Sequence, residues 1–273
     1  MYETYWKLRE KPFESGADPR SYYPAEAHQG TLLKLRYAIE SQRGAALLCG
    51  GFGTGKTLLV RLLAEQLPAQ FQPLVHLVFP QMPAADLLAY LAAELGVAGA
   101  AGATPPVADS VGRIRRRLDE TASAGRHTVL AIDDAQLLEH GRAFEMLRLL
   151  LNFESGGRPM LTLLLVGQPN LLCVVERMPQ LDERLGVKCL LRPLTLDETA
   201  SYVAHRLNAA GATRTIFEPD AVETLFHLTR GVPRRINRLC DLALLIGYAD
   251  EQPSIGADQI EAVAQELVVA AAA

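Results

Sequence analysis

Gly50-Gly51-Phe52-Gly53-Thr54-Gly55-Lys56-Thr57 sets two glycines five residues apart and follows the second with Lys-Thr. An apolar run over 45–49 leads into it, and apolar residues at helical spacing follow from Leu58. Glycines let the backbone turn until successive N–H groups face one anion, and a helix starting at the lysine adds the positive end of its dipole. A lysine supplies a mobile point charge and a threonine a hard oxygen donor. Residue types in this order fit a nucleoside triphosphate held with a divalent cation, that is ATP and Mg2+. The binding set is then Gly50, Gly51, Phe52, Gly53, Thr54, Gly55, Lys56, Thr57 and Leu58. Lys56 would reach the β- and γ-phosphates, and Thr57 would join the Mg2+ shell.

The stretch Leu130-Ala131-Ile132-Asp133-Asp134-Ala135-Gln136 runs apolar residues into two adjacent carboxylates. If it is a strand ending beside the phosphate loop, Asp133 becomes a second ligand for the metal. Asp134, on the other side of the chain's path, could then orient or activate an attacking water.

Such groups need elements to bring them together. Short apolar runs at 45–49, 74–79, 128–132 and 160–166 alternate with helical patterns at 58–67, 84–95, 111–122 and 142–153. That alternation predicts an α/β fold with a parallel sheet and helices on both faces. A helix is also expected over 26–41, and an Ala/Gly/Pro-rich loop over 97–112. From Leu194 only helical patterns remain, at 196–210, 219–228, 233–249 and 256–269, which predicts a small all-helical domain. The expected organisation is an N-terminal segment over 1–44, an α/β domain over 45–192 and a helical domain over 193–273.

Composition narrows the class. The 273 residues are 49% apolar, enough for a sizeable core. No run approaches the roughly 20 apolar residues that a membrane span needs, and the N-terminus lacks the apolar core of a signal peptide. The expectation is a cytoplasmic protein without a membrane span. The scattered cysteines Cys49, Cys173, Cys189 and Cys240 read as reduced core residues. A net charge of −4 excludes a generally basic surface but leaves room for local patches.

These motifs, with the opening MYETYWKLREKPF, DPRSYYP, LLLVGQPNL, LDERLGVKCLLRPLTLDETASYVAHRLNAAG and GVPRRINRLCDLALLIG, resemble the ExeA/GspA-type AAA+ ATPases of the general secretion pathway. That family is related to transposition-regulator ATPases. The resemblance implies a P-loop AAA+ domain followed by a helical lid, with ATP held between neighbouring subunits of a ring or filament. It implies further roles: Gln168 as the sensor 1 residue, Arg184 as an arginine finger with Arg177 as the alternative, and Arg234 as sensor 2. Tyr22, Tyr23 and Pro24 would lie near the adenine, with Ile236 closing from the lid. The chain departs from the family's Asp-Glu-Ala-Gln at Asp134, whose carboxylate is one methylene, about 1.5 Å, closer to the backbone. Slow hydrolysis is expected from this. In the wider superfamily a polar residue after the second strand restrains the catalytic acid, and Gln81 is the candidate here.

Two basic clusters could meet duplex DNA: Arg113, Arg115, Arg116 and Arg117, and then Arg234, Arg235 and Arg238. Three readings follow. The leading one is an oligomeric ATPase acting as motor or switch on a protein partner. The others are a DNA-bound ATP switch that recruits a transposase or another DNA-processing partner, and a nucleotide-dependent scaffold without hydrolysis.

Overall fold

The computed structural model describes residues 1–14, 16–96, 105–139 and 141–272, and the chain divides into two compact units. One comprises residues 28–51 and 59–191; the other comprises residues 1–27, 52–58 and 192–273.

The first unit is built on strands β1 (Ala45–Gly50), β2 (Leu74–Leu77), β3 (Thr128–Ile132), β4 (Glu154–Ser155), β5 (Arg158–Pro159), β6 (Leu161–Gly167) and β7 (Leu185–Leu191). β4 and β5 form a short antiparallel hairpin; the other five make a parallel sheet in the order β2-β3-β6-β1-β7. Successive strand residues point to opposite faces, so a strand buried at every position must be covered on both. β1, β3 and β6 are such strands, which is why each reads as a nearly continuous apolar run. β2 and β7 lie at the edges; β2 alternates between partly buried and buried positions, and β7 between exposed and more buried ones. In register, Leu77, Ile132, Leu165, Leu47 and Lys188 form one row across the sheet. Because all five strands run parallel, the chain following Gly50, Ile132 and Gly167 leaves from the same edge, where open α/β sheets bind ligands.

The helices are α1 (Tyr2–Trp6), α2 (Glu26–Glu40), α3 (Lys56–Gln66), α4 (Ala84–Glu94), α5 (Val107–Ser123), α6 (Arg142–Leu150), α7 (Asn170–Glu176), α8 (Pro179–Asp182), α9 (Leu196–Ala209), α10 (Pro219–Thr229), α11 (Pro233–Ala249) and α12 (Ala257–Ala272). The loop expected over 97–112 is only partly accessible to comparison, since 97–104 lie outside the described residues. Its last part is helix: α5 begins at Val107, with Pro106 just before it and Asp109 in the first turn, both suited to a helix start. β7, the hairpin, α1, α7 and α8 were not anticipated.

The second unit packs α9 to α12 around a core that includes Leu225, Ile236, Cys240, Ala243 and Ile260. The N-terminal segment is part of this core through Tyr2, Trp6, Leu8 and Phe13. The indole Nε1–H of Trp6 donates to the Leu244 carbonyl at 2.9 Å. Arg206, buried, donates through Nε to the Pro12 carbonyl (2.6 Å) and through a terminal nitrogen to the Tyr202 hydroxyl (2.9 Å). Tyr202 in turn donates to Asn237 Oδ1 at 2.6 Å, so one satisfied polar network joins residues 12, 202, 206 and 237. α9 starts where a capping box forms: Thr195 Oγ1 accepts from the Glu198 N–H, and the Glu198 carboxylate accepts from the Thr195 N–H.

Candidate nucleotide site

The phosphate loop occupies the turn between β1 and α3. Gly53 (φ 73°) and Gly55 (φ 102°) both adopt left-handed backbone, which makes these two glycines conformational requirements. Gly53 has a second reason to lack a side chain. It belongs to the same unit as α11, and a Cβ there would stand 2.6 Å from the Arg234 Cβ, while the Arg234 N–H donates to the Gly53 carbonyl at 3.2 Å. Lys56 is the first residue of α3, so its side chain and the helix N-terminus share one location. It is only 8% exposed, and an ammonium so placed is stable only with acceptors or anions around it. Thr54 is buried, Thr57 and Leu58 partly so, and Phe52 is exposed.

At the end of β3 the two acids differ in setting. Asp133 is 3% exposed; its N–H donates to the Leu77 carbonyl at 2.8 Å, and its Oδ1 accepts from the Asp134 N–H at 3.0 Å. The other carboxylate oxygen, Oδ2, lies 3.6 Å from Nε2 of His76 on β2. That imidazole nitrogen is buried and has no hydrogen-bond partner among the described residues. The polar residue facing the acids from β2 is therefore His76. The expected Gln81 is exposed and instead lines a cavity of about 380 Å³ with Met82, Pro83, Leu137 and Glu139. His76 escaped the sequence reading because its contact depends on the register of two neighbouring strands, which pairs it with Ala131.

Asp134 sits at φ 46°, a left-handed conformation that aspartate tolerates better than longer side chains, and it opens the single turn Ala135–Leu137. Gln136 in that turn donates through Nε2 to Asp134 Oδ1 at 3.0 Å and accepts through Oε1 from the Gln168 N–H at 3.0 Å. Asp133, Asp134, Gln136 and Gln168 thus form one connected group at the carboxyl edge of the sheet.

Arg184 stands elsewhere. It directly precedes β7, its carbonyl accepts from the N–H of Ala45, the first residue of β1, and its guanidinium donates to Asn152 Oδ1 at 3.0 Å. β1 rises roughly 3.3 Å per residue from there, so Arg184 lies near the sheet edge opposite the one where the phosphate loop emerges. Arg177, at the end of α7, is exposed. Arg234 is exposed near the N-terminus of α11.

Two expectations, those for Ile236 and for Cys173, need correction. Ile236 is 0% exposed within the core of the helical unit and has no surface to lay on a base. Tyr23 packs edge-on against Tyr202, with ring centroids 5.9 Å apart. Of the cysteines, Cys173 is exposed on α7 while the other three are buried. On α5, Arg113 pairs with Asp109, Arg115 with Asp119 and Arg117 with Glu120, so four arginines face three acids and the helix presents little net charge. Arg230, Arg234, Arg235 and Arg238 are exposed and have no carboxylate within ion-pair distance among the described residues.

A parallel sheet of this order, with a glycine-rich loop and Lys-Thr after β1 and an acid directly after β3, defines a P-loop NTPase of the AAA+ class. Residues 39–174 match the family described as AAA domain. Over nearly its whole length the chain is similar to General secretion pathway protein A of Aeromonas hydrophila, at 34% identity over 269 residues. That alignment covers 98% of this chain and 48% of the relative, so the chain spans about half the length of the curated protein it matches. Two solved structures share the fold. The Aeropyrum pernix ORC1 protein in complex with DNA has a TM-score of 0.70 at 16% identity, covering 96% of this chain and 69% of that one. The Thermotoga maritima RuvB Holliday junction branch migration motor has a TM-score of 0.60 at 21% identity, covering 89% and 69%. The chain thus carries an AAA domain and is similar over nearly its whole length to General secretion pathway protein A. No helix among the described residues is long and apolar enough to cross a membrane.

Proposed function

We propose that the chain binds ATP with Mg2+ and hydrolyses it at the interfaces of an oligomer, acting as a motor or switch on a protein partner. The observation that supports this reading is the common exit of β1, β3 and β6 from one sheet edge, from which Gly51, Asp133 and Gln168 continue. The donor set suits the cation. Thr57 offers a hydroxyl and Asp133 a buried carboxylate, both hard oxygens, and Mg2+ is commonly held by one or two such groups together with phosphate oxygens. His76 Nε2, buried 3.6 Å from Asp133 Oδ2 and without a hydrogen-bond partner among the described residues, is a polar atom that such a hydrated site would satisfy. When bound, Mg2+ offsets charge on the phosphate oxygens.

The chain's own groups divide the remaining work. Backbone N–H groups of 51–57 and the Lys56 ammonium hold the phosphates, and Arg234, whose N–H donates to the Gly53 carbonyl within the same unit, adds a cation. Asp134 orients the water and takes up its proton. Arg184 is held far along the sheet from its own phosphate loop, a placement that suits service to the site of a neighbouring copy. Tyr22, Tyr23 and Pro24 are the candidates for the base.

A second reading, a DNA-bound ATP switch recruiting a transposase or other DNA-processing partner, is favoured by one observation: Arg230, Arg235 and Arg238 are exposed cations without paired acids among the described residues. The DNA-bound ORC1 neighbour and the branch-migration motor share this fold. Steady-state ATPase assays with and without duplex DNA test both readings. Turnover that is lost in Lys56→Ala and indifferent to DNA supports the protein-directed motor. Strong stimulation by DNA that is lost on replacing Arg235 and Arg238 supports the switch. Tight ATP binding without turnover under any condition leaves only a nucleotide-dependent scaffold.

A further inference from the structure

The amide of Gln136 is used at both ends. It is 8% exposed, and its orientation is fixed by its partners, because a carboxylate only accepts and a backbone N–H only donates. Nε2 therefore faces Asp134 Oδ1 and Oε1 faces the Gln168 N–H, each at 3.0 Å. The strand beneath is shaped to receive it. A Cβ at Gly167, the last residue of β6, would lie 2.3 Å from Gln136 Oε1 and 2.7 Å from Leu171 Cδ2. Any larger residue there would expel the amide from its place.

We propose that Gln136 is a positioning residue that couples the acid after β3 to the residue after β6, so that Asp134 and Gln168 are held as one unit. The proposal rests on the reading of this site as an ATPase centre. Asp134 has a short side chain on left-handed backbone, and a carboxylate on so short a stem can rotate about two torsions. The Gln136 bond fixes that rotation by engaging Oδ1, which leaves Oδ2 without a protein hydrogen bond among the described residues and open to a water. The other end of the same amide anchors the backbone that carries the Gln168 side chain. A displacement of the β6 terminus, whether by nucleotide or by a neighbouring copy, is thereby transmitted to the water-orienting oxygen.

The test is a double-mutant cycle on the full chain, read by steady-state ATPase with nucleotide KM determined in parallel. Gln136→Leu removes both hydrogen bonds. Gln136→Glu keeps the size and the acceptor for Gln168 but loses the donor to Asp134. Each is expected to lower kcat by about tenfold or more while KM stays within about twofold, since the lost interaction orients the water and holds no part of the nucleotide. In the Asp134→Ala background, Gln136→Leu is expected to cause no further loss, because a residue acting through Asp134 has nothing left to act on. Wild-type kcat in Gln136→Leu or Gln136→Glu, a change in KM alone, or a full repeated loss in the Asp134→Ala background would overturn the coupling while leaving the ATPase reading intact. If Gln136→Leu does not fold, Gln136→Glu decides by the same criteria. A wild-type chain that hydrolyses no ATP contradicts both the ATPase reading and the coupling.

Discussion

His76 Nε2 lies 3.6 Å from Asp133 Oδ2, and the two residues come from adjacent parallel strands 57 positions apart in sequence. A histidine beside a metal-binding carboxylate orients that carboxylate or a water in its shell. Loss of such a neighbour commonly costs a factor of about 10 to 100 in metal affinity. His76→Ala is therefore expected to weaken the Mg2+-dependent gain in ATP affinity by about tenfold, while affinity without Mg2+ stays the same. Calorimetric titration with and without the cation measures this. An unchanged Mg2+ dependence would remove His76 from the site.

Asp134 is proposed to orient the attacking water, and two effects compete when a longer acid replaces it. A glutamate would reach further toward the water, but at φ 46° it loses the local tolerance that aspartate enjoys. Asp134→Glu is expected to raise kcat by about three- to tenfold and to lower stability by about 1 kcal/mol. Parallel rate and melting measurements check both halves. An unchanged or slower rate would mean that the short acid does not limit turnover.

Gly231 joins α10 to α11 at φ 68°, and a Cβ there would stand 2.0 Å from the Leu194 carbonyl oxygen. The Leu194 N–H donates to the Gly231 carbonyl at 2.9 Å, so the two backbones cannot separate without losing that bond. Gly231→Ala is expected to destabilise the helical unit by about 2 kcal/mol or more. A thermal melt should fall by roughly 5 °C or more; an unchanged midpoint would contradict the close approach.

His127 is buried, 4% exposed, with its Nε2 2.8 Å from Thr162 Oγ1, and burial pushes its pKa down to about 4. In the unfolded chain the same group binds a proton below about 6.5. The unfolded state therefore binds more protons between those values. The stability from keeping His127 neutral is present above pH 6.5 and is lost as pH falls toward 4, by up to about 3 kcal/mol. Denaturant titrations from pH 7 to pH 4 on the wild type and on His127→Gln should show a shallower slope in the variant. Identical slopes would assign the acid sensitivity to other groups.

What could be read from the sequence follows how local each signal is. The phosphate loop and the acid pair are contiguous stretches, and β1, β3 and β6 announce themselves as nearly continuous apolar runs, interrupted only by buried threonines, because both their faces are buried. β7 was missed because an edge strand alternates, and Gly186 and Lys188 interrupt its apolar residues. The His76 contact depends on strand register. The exclusion of Ile236 from the surface depends on how α11 packs, and the neutral face of α5 on side chains that pair along the helix. The union of residues 1–27 with the C-terminal helices is a long-range choice made by Trp6, Phe13 and Arg206, whose partners lie near or beyond 200 residues away.

The loop after β1 is proposed to hold ATP for hydrolysis at the acid pair. Isothermal titration with ATP and Mg2+, paired with phosphate release, on the wild type and Lys56→Ala tests it most directly. ATP binding and turnover are expected in the wild type, with affinity at least about tenfold weaker and turnover abolished in the variant. A wild type that binds no ATP, or a Lys56→Ala chain that keeps both properties, would contradict it.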